Sequence, residues 1–183
     1  MTDTNASQPP GGEAEYGRQV LLDCASFLKS PFTGRMWEDL VLCIAKALRT
    51  EWAFVSTLIR GNEQKHQTLA VCHRHKIVGN FTYEIERAEC ESPLTCPSYI
   101  IPSNALERFS QPALAGMEAD SYAQVPIWDA LGRVRGAVAV ADGKPMRFPS
   151  IVEAGLHIFA FRASAEMERA TGEDKLVTEL LAE

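Results

Sequence analysis

The chain has no apolar run near the roughly 20 residues that a membrane-spanning helix needs, so no membrane insertion is expected. Its first fifteen residues, MTDTNASQPPGGEAE, hold no basic side chain and no apolar stretch, unlike a secretory signal. A cytoplasmic location follows as the expectation. Positive charge is in deficit: 18 Lys and Arg stand against 24 Asp and Glu, a net charge of −6. Nucleic acid needs a basic face and is not an expected partner. The five cysteines, Cys24, Cys43, Cys72, Cys90 and Cys96, are odd in number and repeat no spacing. In a reducing compartment they read as free thiols, not as a disulfide framework. A glycine-rich phosphate loop and a nucleophile elbow are also missing, and no catalytic residue is assigned.

The 183 residues, 46% of them hydrophobic and 23% charged, suffice for one globular domain with its own core. Residues 1–15, with Pro9, Pro10, Gly11 and Gly12, read as a disordered tail. Residues 16–170 read as the folded domain, and 171–183 as an acidic tail or helix extension. Val20, Leu21, Cys24, Phe27 and Leu28 recur at helical steps until Ser30, Pro31 and Gly34. Trp37, Leu40, Val41, Ile44, Ala45 and Leu48 form a second helical stripe.

Residues 52–60 and 68–74 are rich in β-branched and aromatic types and pair as a hairpin about Gly61-Asn62-Glu63. A short strand over 81–85 follows the turn signal Gly79-Asn80. Residues 86–120, with Pro93, Pro97, Pro102 and Pro112, read as an irregular insert with a helix over 105–109. That is longer than an idle connection. Residues 121–128 and 133–141 form a hairpin about Asp129-Ala130-Leu131-Gly132. A final helix follows Pro149, and Thr171-Gly172 either breaks it or lets it run on. This order predicts an α+β fold, an antiparallel sheet with helices from both ends of the chain.

Three segments carry a family likeness. The first is Trp52-Ala53-Phe54-Val55. The second, Tyr83-x-Ile85-x-Arg87-Ala88-Glu89-Cys90-Glu91, follows a Tyr-x-Leu-x-Gly-Thr-Pro-Cys-Glu pattern but departs from its Gly-Thr-Pro. The third runs from Ser121-Tyr122-Ala123-Gln124-Val125-Pro126-Ile127 through Gly132, Gly136 and Val140-Ala141-Asp142. It ends in Ile158-Phe159-Ala160-x-Arg162-Ala163-x-Ala165-Glu166-Met167-Glu168-Arg169. Over residues 16–170 the chain resembles the GAF family of small-molecule-sensing domains, those beside bacterial histidine kinases and diguanylate cyclases most of all. The resemblance implies a GAF-like (profilin-like) sheet of about six strands with the terminal helices on one face. A ligand site would lie on the other, under the 86–120 insert. Family members that reduce methionine sulfoxide place a cysteine just before the strand that here begins at Ser121. Residues 115–120 hold none.

The candidate site residues are Trp52, Tyr83, Cys90, Cys96, Tyr99, Tyr122 and Gln124. Strand alternation puts Tyr122, Gln124, Pro126 and Trp128 on one face, and Ala123, Val125 and Ile127 on the face toward the helices. Glu89 and Glu91 flank Cys90 and would raise its thiol pKa. His73 and His75 would share one side of a strand, but two ligands are too few and no metal is assigned. Phe159, Ala163, Met167 and Ala170 are candidates for a dimer or signalling helix, while Arg162 and Glu166 are spaced as a helix-stabilising pair.

The functional expectation is a non-enzymatic sensory domain that binds an unidentified small molecule, with no cofactor assigned. It would act as a homodimer and signal through its terminal helices to a downstream protein. Two alternatives are a degenerate module serving only dimerisation or partner docking, and a thiol-based redox sensor using Cys90 and Cys96. The charge also has a location. Residues 1–15 hold three acidic groups and no basic one, and residues 166–183 hold six acidic and two basic. The remaining body carries sixteen basic against fifteen acidic groups, so it does not exclude an anionic ligand.

Overall fold

The computed structural model describes residues 10–30, 34–59, 62–84, 98–108 and 115–180. Two helices open the chain, α1 (Pro10–Leu28) and α2 (Met36–Leu48). Four strands follow: β1 (Trp52–Ile59), β2 (Asn62–His73), β3 (Lys76–Val78) and β4 (Thr82–Glu84). Next come β5 (Tyr99–Ile101), the short α3 (Ala105–Arg108), the hairpin β6 (Ser121–Trp128) and β7 (Val134–Asp142), and α4 (Pro149–Leu180). The strands form one antiparallel sheet in the order β3-β2-β1-β7-β6-β5, with β4 also on β2.

The centre of the sheet is β1, whose Ala53–Ser56 run is buried on both faces. On one side Leu40, Val41, Ile44, Ala45 and Leu48 of α2 meet Val20 and Cys24 of α1 and Leu156, Phe159 and Ala163 of α4. These helices cover Ala53, Val55, Ala123, Val125, Ile127, Val138 and Val140 of the sheet. Each fully buried aliphatic or aromatic side chain here contributes about 2–3 kcal/mol. This layer is therefore the main support of the fold. A smaller cluster of Phe54, Val71, Tyr83, Ile101, Met117 and Tyr122 occupies the other face.

Close packing fixes two glycines. A Cβ on Gly136 would sit 1.9 Å from the Ser56 carbonyl oxygen, where β7 crosses β1. A Cβ on Gly155 would meet Leu48 at 2.9 Å and Val20 at 3.1 Å, where α4 meets the other helices.

Several boundaries differ from the sequence reading. Pro10 starts α1 within the stretch read as a tail, because a first-turn proline loses no helical hydrogen bond. β2 starts at Asn62, six residues before the expected strand. β3 was not anticipated; Arg74 and His75, both at positive φ, fold the chain back tightly to form it. The 86–120 segment contributes a strand, β5, so the sheet has seven strands instead of about six. Its proline flank Pro102 suits a three-residue edge strand. Helix α4 runs through Thr171-Gly172 without a break. No described helix is long and apolar enough to cross a membrane.

Candidate functional site

The sheet face away from the three long helices carries a polar line set in aromatic surroundings. Its members are Ser56, His66, Tyr83, Gln124 and Tyr122, from four strands. Ser56 is 0% exposed, His66 3%, Tyr83 6%, Gln124 9% and Tyr122 3%. The Ser56 hydroxyl lies 2.8 Å from the Tyr83 hydroxyl and 3.1 Å from His66 Nδ1. Gln124 Oε1 accepts from the Tyr122 hydroxyl at 2.5 Å and from the Tyr83 hydroxyl at 3.5 Å. Phe54 lies beneath, with ring centroids 5.4 Å from Phe81 and 5.6 Å from Tyr83. Ile101, Ala105, Met117 and Ala119 complete the cluster from the segments after β4.

Burial sets the protonation of the line. It pushes His66 down to about 4, so the ring is neutral at pH 7. It raises Tyr83 and Tyr122 well above the usual phenol range, so both keep their protons. The proton order along the line can run either way. His66 Nδ1 donates to Ser56, Ser56 to Tyr83 and Tyr83 to Gln124; or Tyr83 donates to Ser56 and Ser56 to His66. Two nitrogens take no part: the Gln124 amide NH₂, a donor, and His66 Nε2, an acceptor in the first order and a donor in the second, have no hydrogen-bond partner among the described residues. The amide can serve a carbonyl or other acceptor, and the ring nitrogen an acceptor or a donor according to its tautomer.

A bulge aims His66 here. The register of β1 and β2 passes from Val55↔Ala70 to Ser56↔Thr68, so Leu69 is an extra residue. Ala70 and Leu69 consequently both pack toward the helices, and Thr68 and His66 come round to face the site. Ordinary alternation from Val71 would have brought Leu69 and Gln67 there instead.

Of the sequence candidates, Tyr83, Tyr122 and Gln124 are joined in the line. Tyr99 lies on β5 opposite Gln124. Trp52 packs at the edge of the same cluster, its ring stacked on His73 at 3.7 Å. Cys90 and Cys96 lie outside the described residues. Pro126 and Trp128, two residues apart on β6, line a shallow cleft with His157, Phe161 and Ser164 of α4. Sequence reading missed Phe54 and Ser56, which the period of two from Trp52 would have supplied. It missed His66 for want of any signal of the bulge.

The helix stripe also needs correction. Phe159 and Ala163 are fully buried against the sheet and α1, so neither has surface to give to a second subunit. Met167 is half-buried and Ala170 exposed. Arg162 turns away from Glu166. Its guanidinium donates to the Leu28 carbonyl at 3.4 Å and the Ser30 carbonyl at 3.1 Å, beyond the last turn of α1. Glu166 pairs with Arg169 at 3.2 Å. His75 sits in the β2–β3 turn and not beside His73 on a strand. Burial raises Cys24 to about 12 and Cys43 to about 11, and raises Cys72 as well, so these three thiols are poor nucleophiles at neutral pH.

At the level of sequence the chain matches no family model and no curated protein. Its fold does have neighbours. The GAF domain of an Acinetobacter phosphoenolpyruvate-protein phosphotransferase aligns with a TM-score of 0.59 at 14% identity, over 90% of this chain and 98% of that one. A domain of a putative two-component sensor histidine kinase from Sinorhizobium meliloti aligns at 0.59 and 14%, over 80% and 98%. The chromophore-binding domain of a Stigmatella aurantiaca bacteriophytochrome aligns at 0.63 and 11%, over 91% of this chain and 63% of that one. This chain therefore spans less than two thirds of that photoreceptor domain. The chain has a GAF-domain fold.

Proposed function

We propose that the chain is a non-catalytic sensory domain that binds a small molecule on the sheet face carrying Tyr83, Tyr122 and Gln124. The observation that carries this reading is the polar line with an unspent amide donor on Gln124 and an unspent ring nitrogen on His66. Unpaired nitrogens beside aromatic side chains suit a guest that carries a matching polar group. The aromatic floor would take the guest's planar or apolar body. In the sequence, residues 85–97, with Cys90 and Cys96, come after β4 and before β5. Binding would signal through α1 and α4, which the Arg162 bonds tie together, to a separate output protein. Such a signal requires different affinity for two arrangements of the domain. Several GAF-fold neighbours are parts of sensor and phosphotransfer proteins, which agrees with a regulatory role.

The test is native mass spectrometry of the purified chain, followed by calorimetric titration with metabolite pools. A bound or titrating small molecule whose affinity falls about tenfold in Gln124→Leu supports the reading. A chain that carries and binds nothing overturns it.

A second reading, a module that only dimerises or docks a partner, rests on a different observation. Leu21 and Leu22 of α1 are 59% and 51% exposed, and Phe161 of α4 is 77% exposed. Large apolar side chains on both terminal helices offer an interface that needs no ligand.

A further inference from the structure

A second concavity, of about 720 Å³, lies at the end of the sheet where β1 begins and β7 ends. We infer that it is a separate binding site for a small organic polyanion, one bearing two or more phosphate or carboxylate charges. Lys46, Arg49, Lys144 and Arg147 line it, and none of the four has a carboxylate ion-pair partner among the described residues. The two carboxylates in its wall are already engaged. Asp142 accepts the Glu51 amide at 3.1 Å and the Lys144 amide at 3.0 Å. Glu51 pairs with Arg74 at 3.3 Å. With Arg74 the wall holds five cations against these two carboxylates, a net positive charge within a body whose overall charge is close to neutral.

Helix electrostatics account for only half of this charge. Lys46 and Arg49 stand at the C-terminal end of α2, where cations are favoured. Lys144 and Arg147 stand just before the N-terminus of α4, where cations are disfavoured, and the first turn of α4 has no acidic residue to offset them. A bound anion relieves both the repulsion among the four cations and this misplacement. Two of the cations are held in place: the Arg49 guanidinium lies 5.4 Å over the Tyr16 ring and that of Arg147 lies 5.2 Å over Phe148. Guanidinium forks match phosphate and carboxylate alike.

Size and lining also suit a guest. The volume exceeds what inorganic phosphate fills and falls in the range of small-molecule sites, about 300–1,000 Å³. Leu48, Met146 and Val152 in the wall suit an organic body.

The test is isothermal titration of the full chain at low salt with two probes, pyrophosphate and citrate, which separate phosphate from carboxylate recognition. Saturable binding of either is expected, weakening as salt screens the charges. Lys46→Ala combined with Lys144→Ala, both exposed side chains, should weaken it at least about tenfold. Lys29→Ala, elsewhere on the surface, and Gln124→Leu, on the other site, should leave it unchanged. Arg147→Gln provides a second cleft variant if the double variant unfolds. The inference is overturned if neither probe binds saturably, or if folded cleft variants bind as the parent does.

Discussion

His66 is neutral in the folded chain down to about pH 4, because burial excludes the charged ring. In the unfolded chain it takes up a proton near its ordinary value of 6.5. Between these two values the unfolded state holds more protons, so stability rises with pH. The stabilisation is complete above about pH 6.5 and is lost as pH falls toward about 4, a difference of about 3 kcal/mol. Thermal melts of the parent across this window should show the loss. His66→Gln, which cannot titrate, should flatten the curve; an unchanged slope would place the acid sensitivity elsewhere. Neighbouring Tyr83 should behave differently. Tyr83→Phe removes a hydroxyl from Ser56 and Gln124 and should cost about 1–2 kcal/mol in urea unfolding at every pH from 5 to 8, since the phenol does not titrate there.

Among the elements, the β1–β7 contact has the least tolerance. Gly136 lets β7 lie against the Ser56 backbone, and Ser56 in turn anchors the polar line. Gly136→Ala should destabilise the chain by about 3 kcal/mol or prevent folding, read from the urea midpoint. Gly136 stood out in the sequence only as part of a resemblance; its reason, a carbonyl oxygen 1.9 Å from a would-be Cβ, is a cross-strand fact. The β6–β7 hairpin was more open to reading, because its cause is local. Asp129 Oδ1 accepts the amides of Leu131 and Arg133, each at 2.9 Å, and Gly132 supplies the positive φ of 72°. The β3 and β5 strands were not legible. Each is three residues long, too short for a period of two to show, and each exists because a longer neighbour pairs with it.

For the molecule as a whole, the layer between helices and sheet uses up most of the apolar stripe that the sequence offers. Phe159 is fully buried within it, whereas Phe161, two residues on, is 77% exposed. If the terminal helices mediate self-association, Phe161→Ser together with Leu21→Ser should turn a concentration-dependent dimer into a monomer, with little change in melting temperature. Sedimentation velocity reads this directly. A parent chain that stays monomeric at every concentration would dismiss the dimerisation reading and leave sensing through a partner.

Residue order by itself determined the α+β composition, the long helices, the β6–β7 hairpin, and the face on which Tyr122 and Gln124 lie. These follow from periodicity and turn chemistry, which act between residues near in sequence. Tertiary structure alone decided that His66 faces the site, since a single extra residue in β2 reverses its side. It alone brought Lys46 and Arg49 to one cleft with Lys144 and Arg147, nearly a hundred residues apart along the chain. Such juxtapositions arise from pairing and packing between distant segments, and no local pattern encodes them.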